Sequence, residues 1–357
     1  MEMIEILTAA FKAKASDVHL VIGKPPMVRI HGKIQPLPDF PVLAAEDAKS
    51  LIYSMLYQDQ IARFEERLEL DFSYNVPNIG RFRVNVLSQK TGIEAVLRLI
   101  PVKIPSPSEI RLSDAVVALT NMPRGLILVT GPTGSGKSTT IASMINVINI
   151  NRHEHILTIE DPIEFVFENI NCIVRQREVG MNTHSFNDAL KHALRQDPDI
   201  ILVGEMRDLE TISLALTAAE TGHLVFATLH TQDAPQTIDR IIDVFPSHQQ
   251  QQIRVQLAAT LKAVICQQLV PRADGKGRIA AREVLIVTHA VSNLIREAKT
   301  HQIYSSIETG AKHGMCTLES SLADLVKARL ITIEDAFAKT NNPETLRLKL
   351  SALGIKA

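Results

Sequence analysis

The first hundred residues carry short apolar patterns of both helical and strand period. Apolar positions recur at helical spacing in two places, residues 4–11 and 44–57. Four stretches alternate apolar with polar positions, which predicts strands, and these are residues 18–22, 27–30, 81–87 and 93–100. A His31-Gly32 turn follows the second of them. Short mixed elements of this kind predict a small α+β domain.

The longer remainder of the chain alternates strand-like and helix-like patterns. Four short apolar runs each precede a polar loop, and these are residues 125–130, 156–159, 200–203 and 224–228. Helical stretches separate the runs, and this alternation predicts a parallel sheet wrapped by helices. A last strand pattern at residues 278–287 is followed only by helical patterns. We therefore expect an α/β core and then a helical C-terminal region.

A proline-rich segment separates the two patterns. Pro101, Pro105 and Pro107 fall within seven residues, and they cannot continue a helix or a central strand. Such a run makes a stiff, extended connector, so the domain boundary is predicted there. The expected organisation is an N-terminal domain, a linker, an α/β core and a helical C-terminal region, at residues 1–100, 101–112, 113–288 and 289–357.

Composition excludes several classes of protein. The 357 residues include 38 Lys and Arg against 39 Asp and Glu, a net charge of -1, which disfavours a protein that mainly binds nucleic acid or anionic lipid. No apolar run approaches the ~20 residues that cross a bilayer. The three cysteines, Cys172, Cys266 and Cys316, have neither disulfide-framework nor zinc-ligand spacing. A reducing cytoplasm is therefore the expected location.

A phosphate-binding loop follows the first apolar run of the predicted sheet. The sequence from Gly131 to Ser138 matches the pattern G-x-x-x-x-G-K-[ST] between a predicted strand and a predicted helix. Its glycines let backbone N–H groups converge on phosphate oxygens, Lys137 would reach the outer phosphates, and Ser138 would bind Mg²⁺. The predicted nucleotide-binding residues are Gly131, Pro132, Thr133, Gly134, Ser135, Gly136, Lys137, Ser138 and Thr139. The pattern therefore predicts binding of ATP with Mg²⁺.

Acidic residues end two neighbouring strands of the same predicted sheet. Glu205 follows the run at 200–203, where a carboxylate can orient an attacking water or hold Mg²⁺ through water. Glu160 and Glu164 follow the run at 156–159, and Asp161 between them fits a turn. Three acids this close repel one another unless a cation lies nearby. Glu205, Glu160 and Glu164 are therefore predicted catalytic residues, with Glu160 also a possible Mg²⁺ ligand.

Two histidines bracket the run at 224–228. A single histidine is more often a structural hydrogen-bonding group, but His223 and His230 flank a strand that also carries Thr228. This arrangement favours a sensor of the γ-phosphate, and both histidines are predicted to belong to the catalytic site.

Two arginines of the first domain are predicted to face each other. Antiparallel pairing of residues 81–87 with 93–100 makes one face apolar when Phe82 lies opposite Leu99, and this register places Arg83 opposite Arg98. Facing like charges destabilise a sheet by up to about 1 kcal/mol. A phosphate from a neighbouring subunit would reverse that effect, so an arginine-finger role is one interpretation. The alternative is that both side chains extend into solvent or pair with Glu69 or Asp71.

Together, these motifs resemble the PilT family of type IV pilus retraction ATPases, within the secretion ATPase superfamily. The resemblance covers nearly the whole chain, and it rests on GPTGSGKST at 131–139, TIEDPIEF at 158–165, DPDIILVGEMRD at 197–208 and TGHLVFATLHT at 221–231. Near the N-terminus, residues 15–20 also fit the family. Residues 290–297 resemble its retraction motif, with Val291 and Ser292 in place of the usual Ile and Arg.

The resemblance implies a PAS-like N-terminal domain joined to a RecA-like ATPase domain. It also implies a homohexameric ring at the cytoplasmic base of a pilus machine, in contact with an inner-membrane platform protein and reaching the membrane only through partners. N-terminal-domain arginines complete the site in that family. An assembly or secretion ATPase of the same superfamily is the nearest alternative, but a four-cysteine zinc module common in those enzymes is missing here. A low-turnover accessory subunit is a further alternative, which the presence of Glu205 and both histidines disfavours.

Overall fold

The computed structural model describes residues 1–30, 32–77, 79–100 and 103–356. The predicted turn at His31 and the first two residues of the predicted linker lie outside this described part. The chain divides into two compact units, residues 1–103 and 104–357.

The first unit is built on one antiparallel sheet. Its strands are β1 (Asp17–Leu20), β2 (Met27–Ile30), β3 (Lys33–Pro36), β4 (Glu69–Val76), β5 (Gly80–Gln89) and β6 (Gly92–Ile100). They are ordered β3-β2-β1-β6-β5-β4. Its helices are α1 (Met3–Lys12), α2 (Ala45–Tyr53) and α3 (Gln58–Arg67). The α+β prediction is confirmed, although α2 ends earlier than expected and β3, β4 and α3 were not predicted.

The register of the β5–β6 hairpin is as predicted from the alternation of apolar positions. Phe82 pairs with Leu99, and Arg83 pairs with Arg98. Phe82 and Leu97 are fully buried in the core of the unit, whereas both arginines lie on the other face of the sheet and are exposed. Side chains alternate between the two faces of a strand, so one correctly predicted residue pair determines the other pairs of the hairpin.

The second unit contains a seven-stranded sheet. Its strands are β7 (Gly125–Thr130), β8 (His155–Glu160), β9 (Ile173–Glu178), β10 (Ile200–Val203), β11 (Leu224–Leu229), β12 (Leu261–Pro271) and β13 (Arg278–Ile286). Their order is β13-β12-β7-β11-β10-β8-β9. All pairs are parallel except that of β12 with β13.

Helices cover both faces of this sheet. Those before the last strand are α4 (Asp114–Ala118), α5 (Lys137–Asn151), α6 (Phe186–Ala193), α7 (Leu209–Glu220), α8 (Ala234–Asp243) and α9 (Ser247–Thr260). Leu126 and Leu128 of β7 pack into one hydrophobic core, and the intervening Ile127 and Val129 pack into the other. A central strand buried on both sides is the expected result for a parallel sheet between two helical layers. The predicted α/β fold is confirmed.

The C-terminal region is helical, as predicted. Its helices are α10 (His289–Arg296), α11 (Ile303–Thr309), α12 (Leu318–Lys327), α13 (Ile333–Phe337) and α14 (Pro343–Ala352). Both departures from the family motif have structural roles in α10. Val291 is fully buried in the core, and the Ser292 hydroxyl donates to the carbonyl of Ala258 on α9. Among the described residues, no helix is both long enough and apolar enough to span a bilayer.

Candidate nucleotide site

The carboxyl ends of four neighbouring strands bring the predicted site residues together. Strands β7, β11, β10 and β8 are parallel and adjacent, so their C-terminal ends lie along one edge of the sheet. The phosphate loop follows β7, His230 follows β11, Glu205 is the second residue after β10, and Glu160 ends β8. Ligands of open α/β sheets bind at this edge.

The phosphate loop is held by close backbone packing. Gly131 has φ +133°, and a Cβ there would lie 2.2 Å from the carbonyl oxygen of Gln267 and 2.8 Å from the Ser135 hydroxyl. Only glycine is therefore accommodated. The Ser135 hydroxyl is buried without a hydrogen-bond partner, an orphaned polar group beside the predicted phosphate position. The loop leads directly into α5, whose N-terminal N–H groups favour an anion.

Lys137 folds over this loop. Its Nζ donates to the carbonyl oxygens of Gly131 at 2.8 Å and Pro132 at 3.3 Å. An ammonium group has three donors, so it can also donate to a phosphate oxygen. Burial lowers the pKa of Lys137, and the negative charge of Glu205 acts in the opposite direction. The cation at the phosphate loop and the carboxylate after β10 thus belong to one electrostatic site.

A cavity of about 390 Å³ opens beside the phosphate loop. It is lined by Thr139 from the start of α5, Leu269 from β12, and Glu109, Arg111 and Arg278. Its volume is within the range of small-ligand sites. The mixture of apolar and polar side chains there suits the base and ribose of a nucleotide whose phosphates lie on the loop.

The Glu205 carboxylate is held by two side-chain donors. Its Oε1 accepts from Nε2 of His230 at 2.8 Å and from Nε of Arg207 at 2.7 Å. Burial raises its pKa, but the hydrogen bond from Arg207 and the charges of His230 and Arg207 outweigh this, so the pKa lies below its usual value. Glu205 is therefore an ionised acceptor at neutral pH, which is the form that can take a hydrogen bond from water.

A glycine allows the strand ends to meet closely at Glu205. A Cβ at Gly204 would lie 3.0 Å from the carbonyl oxygen of Ile159 and 3.2 Å from Cα of Glu160. The Thr228 hydroxyl, from β11, donates to the Gly204 carbonyl. The glycine that stands before Glu205 thus has a packing role.

The residues that would hold Mg²⁺ fit that ion chemically. Ser138 is exposed, and its hydroxyl has no partner among the described residues; Glu160 is 7% exposed. Burial raises the pKa of Glu160 despite hydrogen bonds from Thr158 at 2.7 Å and Gln176 at 3.1 Å, so a nearby cation would stabilise its charged form. No three His, Cys, Asp or Glu side chains cluster as a metal site in the described ranges. Phosphate oxygens and water would therefore supply the other ligands.

The remaining two predicted residues of this unit, His223 and Glu164, lie in different places. His223 precedes β11 and lies at the opposite edge of the sheet from the phosphate loop, where its Nδ1 donates to the carbonyl of Ala218 at 2.9 Å. Its predicted role at the phosphates has no support from this position. Glu164 is exposed, and its backbone N–H reaches Oε2 of Glu160 at 3.4 Å.

The arginine pair belongs to the first unit, and the structure adds an acidic partner that sequence reasoning missed. Arg98 donates from Nε to Oδ1 of Asp17 at 2.8 Å, and Arg29 lies 3.6 Å from the same carboxylate. Burial raises the pKa of Asp17, but Arg98, Ser16 and Arg29 together hold it below its usual value. Arg83 is exposed and has no acidic partner among the residues that the structure describes.

Comparison with known proteins agrees with this geometry. The profile of the type II/IV secretion system protein family matches residues 2–276. The type IV pilus retraction ATPase PilT of Pseudomonas aeruginosa is 51% identical over 344 residues, 96% of this chain and 99% of that protein. A twitching motility protein of Neisseria gonorrhoeae is 49% identical, covering 90% and 86%. The crystal structure of the pilus retraction motor PilT with bound ADP matches at a TM-score of 0.92 and 50% identity, covering 98% and 99%.

Proposed function

Because the chain belongs to the type II/IV secretion system protein family, and within it to the pilus retraction ATPases of the PilT type, we propose that it is an ATP-hydrolysing motor that retracts type IV pili. The observation that carries this proposal is the similarity to a retraction ATPase along nearly the full length of both chains. The resemblance to this family that the motifs indicated is confirmed.

The residues at the carboxyl edge of the sheet have distinct roles in the proposed reaction. The phosphate loop and Lys137 bind the phosphates, and Glu205 accepts a hydrogen bond from the attacking water. The water oxygen bonds to the γ-phosphorus while the bond from that phosphorus to the bridging oxygen of ADP breaks. His230 and Arg207 hold the Glu205 carboxylate in place. Ser138 and Glu160 would hold Mg²⁺, which when bound neutralises charge on the phosphates.

The proposed active form is a homohexameric ring. We assign Arg83 and Arg98 to the site of a neighbouring copy, where a guanidinium stabilises the charge that develops during phosphoryl transfer. The facing of two like charges in the β5–β6 hairpin supports this assignment, since an anion between them removes their repulsion.

The proposed location is the cytoplasmic side of the inner membrane, at the base of a pilus machine. There the ring would act on an inner-membrane platform protein and reach the membrane only through such partners. The even balance of 38 basic and 39 acidic residues supports a protein partner rather than a nucleic acid.

A deletion strain tests the function, with complementation by variants of the chain. Loss of a retraction motor leaves surface pili present or more numerous but abolishes twitching, whereas loss of an assembly ATPase leaves cells without pili. Complementation with the wild-type chain and with Lys191→Ala, an exposed lysine of α6, should restore twitching, and Lys137→Ala should not. Bald deletion cells, or twitching restored by Lys137→Ala, would overturn the proposal.

A further inference from the structure

A buried glutamine contacts the phosphate loop from behind. Gln267 is 2% exposed and lies on β12, which runs parallel to β7 beside it. Its Nε2 donates to the carbonyl of Ser135 at 2.7 Å, and its Oε1 accepts from the Thr140 hydroxyl at 2.8 Å. Its own carbonyl oxygen occupies the space that a Cβ at Gly131 would need. One residue thus contacts the start of the loop, its middle and the helix that follows it.

A buried arginine continues this network away from the loop. Arg282 pairs with Gln267 across the antiparallel β12–β13 ladder and is 8% exposed. Its Nε donates to Oε1 of Gln267 at 3.3 Å. Its other nitrogens donate to the carbonyls of Arg111 at 3.2 Å and Ile110 at 3.0 Å. Burial alone lowers the pKa of Arg282 to about 10, because removing the guanidinium from water disfavours its charged form. The acceptors of Arg282 are neutral, so their hydrogen bonds are what offsets this desolvation cost.

The segment that receives these bonds is conformationally strained. Arg111 has φ +54°, a left-handed conformation that is unfavourable for a non-glycine residue. Leu112, the next residue, is buried. Its N–H donates to the Pro107 carbonyl at 2.9 Å, which fixes the backbone at this position. The guanidinium of Arg282 is thus one of the contacts that hold the 106–112 segment in this shape. In sequence, that segment directly follows the first unit.

We propose that Gln267 and Arg282 are positioning residues that transmit nucleotide occupancy of the phosphate loop to the 106–112 segment. This inference rests on the proposed ATPase function. Because Nε2 of Gln267 donates to the Ser135 carbonyl at 2.7 Å, a shift of Ser135 moves the Gln267 amide. Because Oε1 of that amide also accepts from Arg282, the shift reaches the carbonyls of residues 110 and 111.

Hydrogen exchange of the full-length protein, with and without ADP, tests the relay. In the wild-type protein, ADP should slow exchange of the amides of residues 108–113 several-fold. In Arg282→Gln, the dissociation constant for ADP should stay within about threefold of wild type, but the slowing should be lost. Gln267→Leu should lose the slowing and also raise the dissociation constant about tenfold, the loss expected for a hydrogen bond that orders the loop.

Two further variants keep the test decisive. Gln268→Leu makes the same change at the next position of β12, whose side chain faces away from the network, and it should behave as wild type. Arg282→Lys retains a buried cation but not the fork that reaches three acceptors, so it should also lose the response if Arg282→Gln does not fold. Wild-type protein that binds ADP without slowed exchange at 108–113 would overturn the relay alone. So would a response that persists in Arg282→Gln or Arg282→Lys, because Glu109 and Arg111 also line the cavity beside the phosphate loop and ADP would then act on the segment by direct contact. Failure of the wild-type protein to bind nucleotide would overturn the proposed function and the relay together.

Discussion

Arg98 is anchored at Nε by the buried carboxylate of Asp17, at 2.8 Å, while its side chain remains 69% exposed. A guanidinium held in this way keeps both terminal nitrogens available for a second acceptor, and its orientation is fixed before that acceptor arrives. Asp17 itself is 5% exposed, and Arg29 lies on its other side. The repulsion between Arg83 and Arg98 that the hairpin register implies is therefore partly offset within the unit.

Asp17→Asn should lower the rate of ATP hydrolysis about tenfold and leave the affinity for ADP nearly unchanged. The amide still fills the space but no longer orients Arg98 by charge. Loss of the charged contacts with Arg98 and Arg29 should lower the free energy of unfolding by about 1–3 kcal/mol. Steady-state kinetics, ADP titration and thermal unfolding measure the three effects. Asp71→Asn, an exposed acid on β4 that accepts from Asn85, is the matched control. A lower melting temperature with an unchanged hydrolysis rate would show that Asp17 is only structural.

Glu205→Gln should reduce kcat by at least about a hundredfold while the affinity for nucleotide stays within about threefold. The amide cannot carry the charge that attracts the water protons, yet it conserves the volume and the contact with His230. Single-turnover hydrolysis measured beside equilibrium binding separates the two effects. Glu210→Gln, an exposed acid on the following helix, should hydrolyse ATP normally. Equal losses of binding and turnover would contradict the assignment of Glu205 to the water.

The local parts of the site could be predicted from sequence because they depend on short patterns. The phosphate loop, the strand before it and the position of Glu205 follow from eight residues and from the rule that parallel strands end at one edge. The same rule separates His223 from His230, since a strand of six residues spans about 20 Å and the two histidines stand at its opposite ends.

The missed contacts depend on strand order, which alternation does not reveal. Asp17 meets Arg98 only because β1 pairs with β6, 81 positions later in the sequence at this contact. Gln267 was missed because residues 261–271 continue an apolar pattern directly from α9, where strand and helix are hard to distinguish. Arg207 did have a local signal, since it follows Glu205 by two residues.

Stability should depend on pH through the buried acid Glu283. Burial raises the pKa of Glu283 to about 7, from an ordinary value of 4.5. Between these values the native chain binds a proton that the unfolded chain has released, so the free energy of unfolding decreases as the pH rises from about 4.5 to about 7. Glu283→Gln keeps an acceptor for the backbone N–H of Ala234, which lies 2.8 Å from Oε1, and carries no charge.

The expected result for Glu283→Gln is a gain of up to about 3 kcal/mol at pH 8 and little change at pH 4.5. Thermal unfolding across this range measures it, with Glu308→Gln on the exposed side of α11 as the control that should parallel wild type. A constant difference between Glu283→Gln and wild type at every pH would show that the acid does not titrate in this window.

The proposed role of Arg98 in the site of a neighbouring copy has a distinctive consequence for mixed rings. Arg98→Ala protein keeps its phosphate loop but does not supply Arg98, and Lys137→Ala protein supplies Arg98 but has no working loop. In a ring each subunit presents different surfaces to its two neighbours, so a random 1:1 mixture would contain intact sites at on the order of a quarter of its interfaces. Each mutant alone should be nearly inactive.

The rate of ATP hydrolysis by the mixture measures the number of restored sites. It is compared with the rate of each mutant alone and with a mixture of Arg98→Ala and the double mutant Arg98→Ala/Lys137→Ala. The last mixture restores no arginine and should stay inactive, which excludes a gain from assembly alone. Activity near a quarter of wild type in the first mixture places Arg98 in trans. Mixed rings that form but remain as inactive as the separate mutants would mean that Arg98 acts on its own chain or is a surface charge held by Asp17.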